Sequence, residues 1–297
     1  MPRNRRYISA VLVFIVAGVL VAVWVHLSPR LQRAPQREAV TRALAWLRTQ
    51  QQDDGSFNIG FGHPAGVTCD VALAIAASGG DPAAWRSTAD KPSITEYLAT
   101  HGDEYATDTA STAKLIVTLA AAGLNPQAFA GTDWIARLQS FSDGAGTYDK
   151  GTVGQAWAIL ALSAARRPVP AGALTALRSY QLESGAWASA FGPDNDITSY
   201  ALQALIAGGE PKGSPTMGKA LTFLHGQQND DGGFPAIKPS EWGTDTNGNS
   251  TASVIMALIA VGENPVGAQW SKAGRSPVMA LSDLQAADGE IEFQPGV

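Results

Sequence analysis

Cysteine is almost absent from this sequence. Cys69 stands alone, so no internal disulfide can form and a four-cysteine zinc site is excluded. Histidine is scarce as well, and His26, His63, His101 and His225 fall at no metal-ligand spacing. No Asp-Asp-x-x-Asp occurs that would hold a magnesium–diphosphate pair. Acidic residues are missing before Glu38, whereas Arg3, Arg5, Arg6, Arg30 and Arg33 lie before Ala34. The remainder carries 16 of the 21 basic residues and all 26 acidic ones, a net of 16 − 26 = −10. That balance argues against nucleic acid and anionic lipid as partners of the body. An apolar content of 45% excludes general disorder.

What is present begins with an uncharged run from Ile8 to Val25, behind the first arginine cluster. Eighteen residues at about 1.5 Å each nearly span a hydrocarbon core of roughly 30 Å. No small-x-small cleavage site follows closely, so the run reads as a retained anchor, with a cleaved signal as the alternative. The expected organisation is a cytoplasmic tail at 1–7, an anchor or signal at 8–27, a linker at 28–36 and a folded body at 37–297. The body is expected outside the cytoplasm, on a single pass through the cell membrane.

Within the body, apolar runs end repeatedly on one signal. Gly79-Gly80-Asp81-Pro82, Gly123-Leu124-Asn125-Pro126, Gly208-Gly209-Glu210-Pro211 and Gly262-Glu263-Asn264-Pro265 share it, and Ala165-Arg166-Arg167-Pro168 keeps the offset to proline. Glycine supplies a left-handed helix end and proline forbids resumption, so five copies mean a helical repeat. A second recurring feature is a turn with glutamine four before a glycine and an aromatic two after it. It occurs at Gln51 to Phe57, Gln181 to Trp187 and Gln228 to Phe234, with looser copies at Gln139 to Tyr148 and Gln285 to Phe293 and a degenerate one at His101 to Tyr105. The turn glycines are then expected at 55, 102, 144, 185, 232 and 289. Asp53-Asp54-Gly55 and Asp230-Asp231-Gly232 are too compact for a calcium loop and read as turns.

Each unit pairs an amphipathic helix with one that is apolar nearly all round. The first kind includes 40–47, 134–141, 173–180 and 217–225; the second includes 71–77, 114–122, 155–165, 200–207 and 254–261. A helix greasy on every face must be covered on every face. The result is an all-α toroid of two concentric layers, with about six outer and five inner helices. The sixth inner helix is expected near Phe293, so the sequence reads either as truncated there or as an open ring with an exposed apolar flank. A missing C-terminal helix or a partner chain would cover that flank.

The Gln-x-x-x-Gly-x-aromatic turns resemble the QW repeats of the squalene cyclase and prenyltransferase repeat superfamily, over about residues 37–297. The resemblance implies an α/α-barrel, a fold also used by cobalamin carriers of the transcobalamin and intrinsic-factor type. Those carriers hold their ligand against a second, β-rich domain, which is not read in this sequence. The resemblance also points to Asp194-Asn195-Asp196-Ile197-Thr198, which is similar to the Asp-x-Asp-Asp-Thr of cyclases that begin by protonating a double bond. By that alignment Asp196 is the proton donor and Asp194 the first aspartate, while Ile197 replaces the third. The bland alternative is an N-cap: Asp196, Ser111 and Ser250 each lie twelve residues before the glycine of a stop, and such caps contribute about 1 kcal/mol. Zinc of the prenyltransferase kind does not fit, because Cys69-Asp70 is in the wrong order; a small buried thiol is expected instead.

These readings converge on a non-catalytic binding module with no metal and no cofactor. Its site would be a mouth ringed by helix starts, with Asp108, Asp149, Asp196 and Asn249 nearby and Trp157 and Tyr200 within. The implied ligand is apolar or corrinoid-like. A terpene cyclase using Asp196 and Asp194, and a protein-interaction scaffold using the 235–248 insertion with Trp242, are the rivals.

Overall fold

The computed structural model describes residues 34–296 except 59, 61 and 242. The expected anchor at 8–27 and Trp242 therefore lie outside the described residues. Among those described, no helix is long and apolar enough to cross a membrane.

Six outer helices alternate with five inner ones among the described residues. The outer set is α1 (Ala34–Gln50), α3 (Ile94–Tyr105), α5 (Trp134–Ser140), α7 (Ala171–Ser179), α9 (Pro215–Gln227) and α11 (Pro277–Asp283). The inner set is α2 (Pro64–Ala77), α4 (Thr109–Ala121), α6 (Thr152–Ala164), α8 (Asn195–Ala207) and α10 (Gly248–Val261). Each inner helix packs on the next, from α2 through to α10. A short hairpin, β1 (Trp187–Ser189) and β2 (Gly192–Asp194), is the one sheet among the described residues and leads into α8. Helix α1 begins inside the segment expected as linker.

The stop signals work as glycine chemistry requires. Gly79, Gly123, Gly209 and Gly262 hold φ of +81°, +72°, +97° and +90°, and Arg166 takes the fifth position at +54°.

The turns lock neighbouring units. Gln181 Nε2 donates to Gly185 O within its own turn and to Thr216 O on α9, each at 2.9 Å. Gln228 does the same with Gly232 O and Trp270 O. Gln285 donates to Ala39 O on α1 at 2.8 Å, so the last outer helix is fastened to the first and the outer layer closes. A Cβ on Gly289 (φ +102°) would stand 2.3 Å from Arg42 O, which shows how close that seam is. The inner layer has five helices around six outer positions. Among the described residues the exposed large apolar side chains are Val153, Leu182, Phe191 and Met279.

Two expected turns are corrected. Gly102 lies inside α3, so the degenerate copy is helix. In the third unit Gln139 leaves its task to Gln155 of α6, whose Nε2 donates to Gly146 O and Ala173 O at 3.0 and 3.1 Å. The close-packed glycine there is Gly146; Gly144 has open space around its Cβ position. Spacing alone favoured the Asp-Gly pair, but a side chain from the inner helix reached the turn first.

Candidate functional site

Counting back from the left-handed residue that ends each inner helix sorts the inner side chains by role. Eleven positions earlier stand Thr68, Thr112, Gln155, Thr198 and Thr251. These face the turns. The hydroxyls of Thr68, Thr198 and Thr251 accept from the backbone N–H of the turn aromatics Phe57, Trp187 and Phe234, each at 3.0 Å. Gln155 Oε1 accepts from Tyr148 N at 2.8 Å. Thr198, the last residue of the cyclase-like motif, is therefore a fastening for the Trp187 turn.

Nine positions before the same residues stand Asp70, Lys114, Trp157, Tyr200 and Ser253. They form one layer around the axis. Lys114 Nζ meets Asp70 Oδ1 at 2.6 Å and stands 5.9 Å from the centre of the Trp157 ring. The Trp157 and Tyr200 rings are 5.9 Å apart. Ser253 lies beside Tyr200. Burial pushes the Asp70 carboxyl up, which Lys114 partly offsets, and drives the Tyr200 phenol up as well.

One helical turn toward the inner N-termini, thirteen positions back, come Gly66, Ala110, Val153, Asp196 and Asn249. Here the chemistry concentrates. Asp196 Oδ2 accepts from Asn249 Nδ2 at 3.3 Å and from Ser250 Oγ at 3.2 Å, across the α8–α10 contact. Its Oδ1 has no hydrogen-bond partner among the described residues. Desolvation raises this carboxyl to about 7, and the neighbouring Asp194 adds to the effect. Asp194 is itself raised by burial, moderated by the backbone N–H groups it accepts from.

The cap expectation for Asp196 is overturned. The N-cap of α8 is Asp194, whose Oδ1 accepts from Asp196 N and Ile197 N at 2.8 and 3.0 Å. Asp108 and Asn247 cap α4 and α10, with Ser111 and Ser250 as the residues that receive the cap. The expected slot lay two or three residues too late, because the helices begin before their apolar periodicity does.

Of the expected ligand residues, the fold gathers Trp157, Asp196, Tyr200 and Asn249 on the inner face. It leaves two aside. Asp108 is exposed and occupied as a cap. Asp149 accepts from Gly151 N at 2.7 Å and lies against Gly154, at the start of α6. Sequence reasoning missed Asp70 and Lys114 as a lumen pair. The signal was two opposite charges at equivalent positions of successive apolar helices. Cys69, next to Asp70, is fully buried, and desolvation pushes its thiol up to about 12. Among the described residues no group of three or more His, Cys, Asp or Glu is placed to hold a metal ion.

A cavity of about 840 Å³ lies elsewhere, between the turn after α9, the 235–248 insertion and α11, lined by Asp230, Asp231, Lys238, Asp245 and Arg275 among others. Several of its charges are engaged: Lys238 donates to Asn229, Arg275 pairs with Asp283 and Lys272 with Asp230.

Residues 155–294 match the family described as the squalene-hopene cyclase C-terminal domain. No curated protein matches the sequence. Among solved structures, a protein from Actinoplanes aligns with 85% of this chain and 90% of its own, at 18% identity and a TM-score of 0.61. The ent-copalyl diphosphate synthase from Streptomyces platensis aligns with 84% of this chain at 15% identity and a TM-score of 0.52. The chain spans about half of that synthase, 51% of its length. At such identities the two structures speak for the fold.

Proposed function

We propose that the chain, which resembles the squalene-hopene cyclase C-terminal domain over residues 155–294, is a binding module of the squalene cyclase and prenyltransferase repeat superfamily. A small ligand with an apolar body and a polar head would enter the open end of the lumen between α8 and α10. The observation that carries this reading is the layer formed by Asp70, Lys114, Trp157 and Tyr200. A cyclase that steers a carbocation needs bare aromatic faces. Here the Lys114 ammonium, paired with Asp70, already stands near the Trp157 ring, so that face is not bare. What remains is suited to holding: two aromatic surfaces, an ion pair that fixes the far wall, and hydrogen-bonding groups at the rim.

A second reading keeps some support from one observation. Asp196 occupies the donor position of the cyclase-like motif, and its carboxyl is raised to about 7, so a proton is available near neutrality. The two readings part in a direct test. A thermal-shift series on the full chain with polyprenols and cobalamins is expected to raise the melting temperature as RT ln(1 + [L]/Kd). Incubation with squalene is expected to return it unchanged; a cyclised product would reverse the preference.

We place the body outside the cytoplasm on an anchor formed by residues 8–27, as the uncharged run behind Arg3, Arg5 and Arg6 supports. Membrane fractionation with protease protection tests this, and recovery of the protein in the soluble cytoplasmic fraction would refute it.

A further inference from the structure

We propose that the open end of the lumen receives a protonated amine, so that the ligand is an amphipathic amine whose body rests on Trp157 and Tyr200. This deepens the binding reading above and rests on it.

Eight buried side-chain atoms lack a hydrogen-bond partner among the described residues, and five of them sit in the first two turns of α8 and α10. They are Asn195 Oδ1, Asp196 Oδ1, Ser199 Oγ, Asn249 Oδ1 and Ser253 Oγ. Asn195, Ser199 and Ser253 are completely buried. Asp196, Asn249 and Ser253 stand together at the α8–α10 contact. All five atoms are oxygens. Asn249 has spent an amide hydrogen on Asp196 Oδ2, and Asn195 donates its own to Pro235 O at 2.7 Å, so both amide oxygens are left as acceptors. Asn195 Oδ1, Asn249 Oδ1 and an ionised Asp196 Oδ1 can only accept, whereas the hydroxyls of Ser199, Ser253 and the neighbouring Tyr200 can donate or accept. A buried acceptor without a donor costs about 1–3 kcal/mol, so the seam favours an occupant rich in N–H.

The surrounding charges select the sign. From α8, Asp194 faces the same corner with its Oδ1 already engaged by backbone N–H groups. The α4 cation, Lys114, is neutralised by Asp70 of α2 at 2.6 Å. At the lumen levels described, α6 contributes Val153 and Trp157, and α10 contributes Asn249 and Ser253 with no charge. The corner is therefore acidic. An ammonium supplies three donors, no acceptor and the opposite charge. A neutral alcohol supplies one donor and itself asks for one. A carboxylate or phosphate would add acceptors beside Asp196 and be repelled. The tilted Trp157 and Tyr200 rings one turn below offer an apolar and quadrupolar bed for the first carbons next to the nitrogen.

The test uses the full chain and two probes with the same body, octylamine and octan-1-ol, by calorimetric titration at pH 7 in two buffers of different ionisation enthalpy. Octylamine is expected to bind at least about ten-fold tighter than octan-1-ol, in line with a charge-assisted contact. Its binding should release protons to the buffer, because the ammonium holds Asp196 ionised. In Asp196→Asn, shown folded by its melting curve at pH 5, amine and alcohol should bind within about two-fold of each other, and Asp196→Glu should restore the amine preference. Equal affinities in the parent protein with no proton release would overturn the amine assignment while leaving the lumen as a binding site. Stabilisation by potassium chloride equal to that by octylamine would also overturn it, in favour of a small metal ion. Binding of neither probe would overturn the lumen reading and this inference together.

Discussion

Replacing Asp196 by asparagine isolates the group that most distinguishes this lumen from a plain apolar core. The carboxyl is raised from 3.8 to about 7, a displacement of about three units at about 1.36 kcal/mol each. The folded-state value lies above the unfolded one, so the native protein holds the proton more tightly. Its stability is unaffected by this group at pH 3, falls as pH rises between about 4 and 7, and levels off above. The ceiling on the loss is about 4 kcal/mol, and water at the open rim lowers it. Asparagine keeps the acceptor for Ser250 Oγ and Asn249 Nδ2 and has no charge to bury. The variant should therefore match the parent near pH 3 and exceed it at pH 8, by at least about 1 kcal/mol in urea titrations. Comparing the two chains at each pH cancels the contribution of Asp70, which is raised in both. A stability difference that does not change with pH, or that favours the parent more as pH rises, would show that Asp196 is not desolvated at this position.

Three further expectations concern the ring that presents the site. Gly289→Ala should cost well over 2 kcal/mol, since its Cβ would meet Arg42 O at 2.3 Å. Gly144→Ala, at φ +80° with open space, should cost only about 1–2 kcal/mol in the same denaturant assay, and equal losses would mean that the last turn is not seated on α1. Thr198→Val should destabilise by about 1–3 kcal/mol by stranding the buried Trp187 N–H, with a matching loss of amide exchange protection at Trp187; retained protection would contradict the fastening role. Arg166→Gly should raise the melting temperature slightly, by up to about 1 kcal/mol in stability, because a non-glycine residue holds φ +54° there; a loss would show that the arginine side chain outweighs its backbone strain.

Much of the architecture was legible because its cause is local. A left-handed glycine followed by proline ends a helix wherever it occurs, and the difference between half-wet and dry helices separates outer from inner layers without tertiary information. The closure of the outer layer was not legible. It depends on Gln285 reaching Ala39, two residues at opposite ends of the described chain. Of the residues read as lining a mouth, Trp157 stands near Tyr200 and Asp196 near Asn249, while Asp108 and Asp149 serve helix starts. Asp70 and Lys114 escaped because inner helices were read as uniformly apolar, and two charges that neutralise each other across a helix contact leave no mark on composition. The misplaced cap at Asp196 has the same origin. Apolar periodicity marks where a helix is covered, and α8 begins one residue before Asp196 with its cap on Asp194.

The most direct measurement is the location of a bound probe. A crystal structure of the full chain soaked with octylamine should show its nitrogen within hydrogen-bond distance of Asp196 and its alkyl chain against Trp157 and Tyr200. An empty lumen, or a probe seated instead in the polar cavity beside Asp230 and Asp231, would contradict the account.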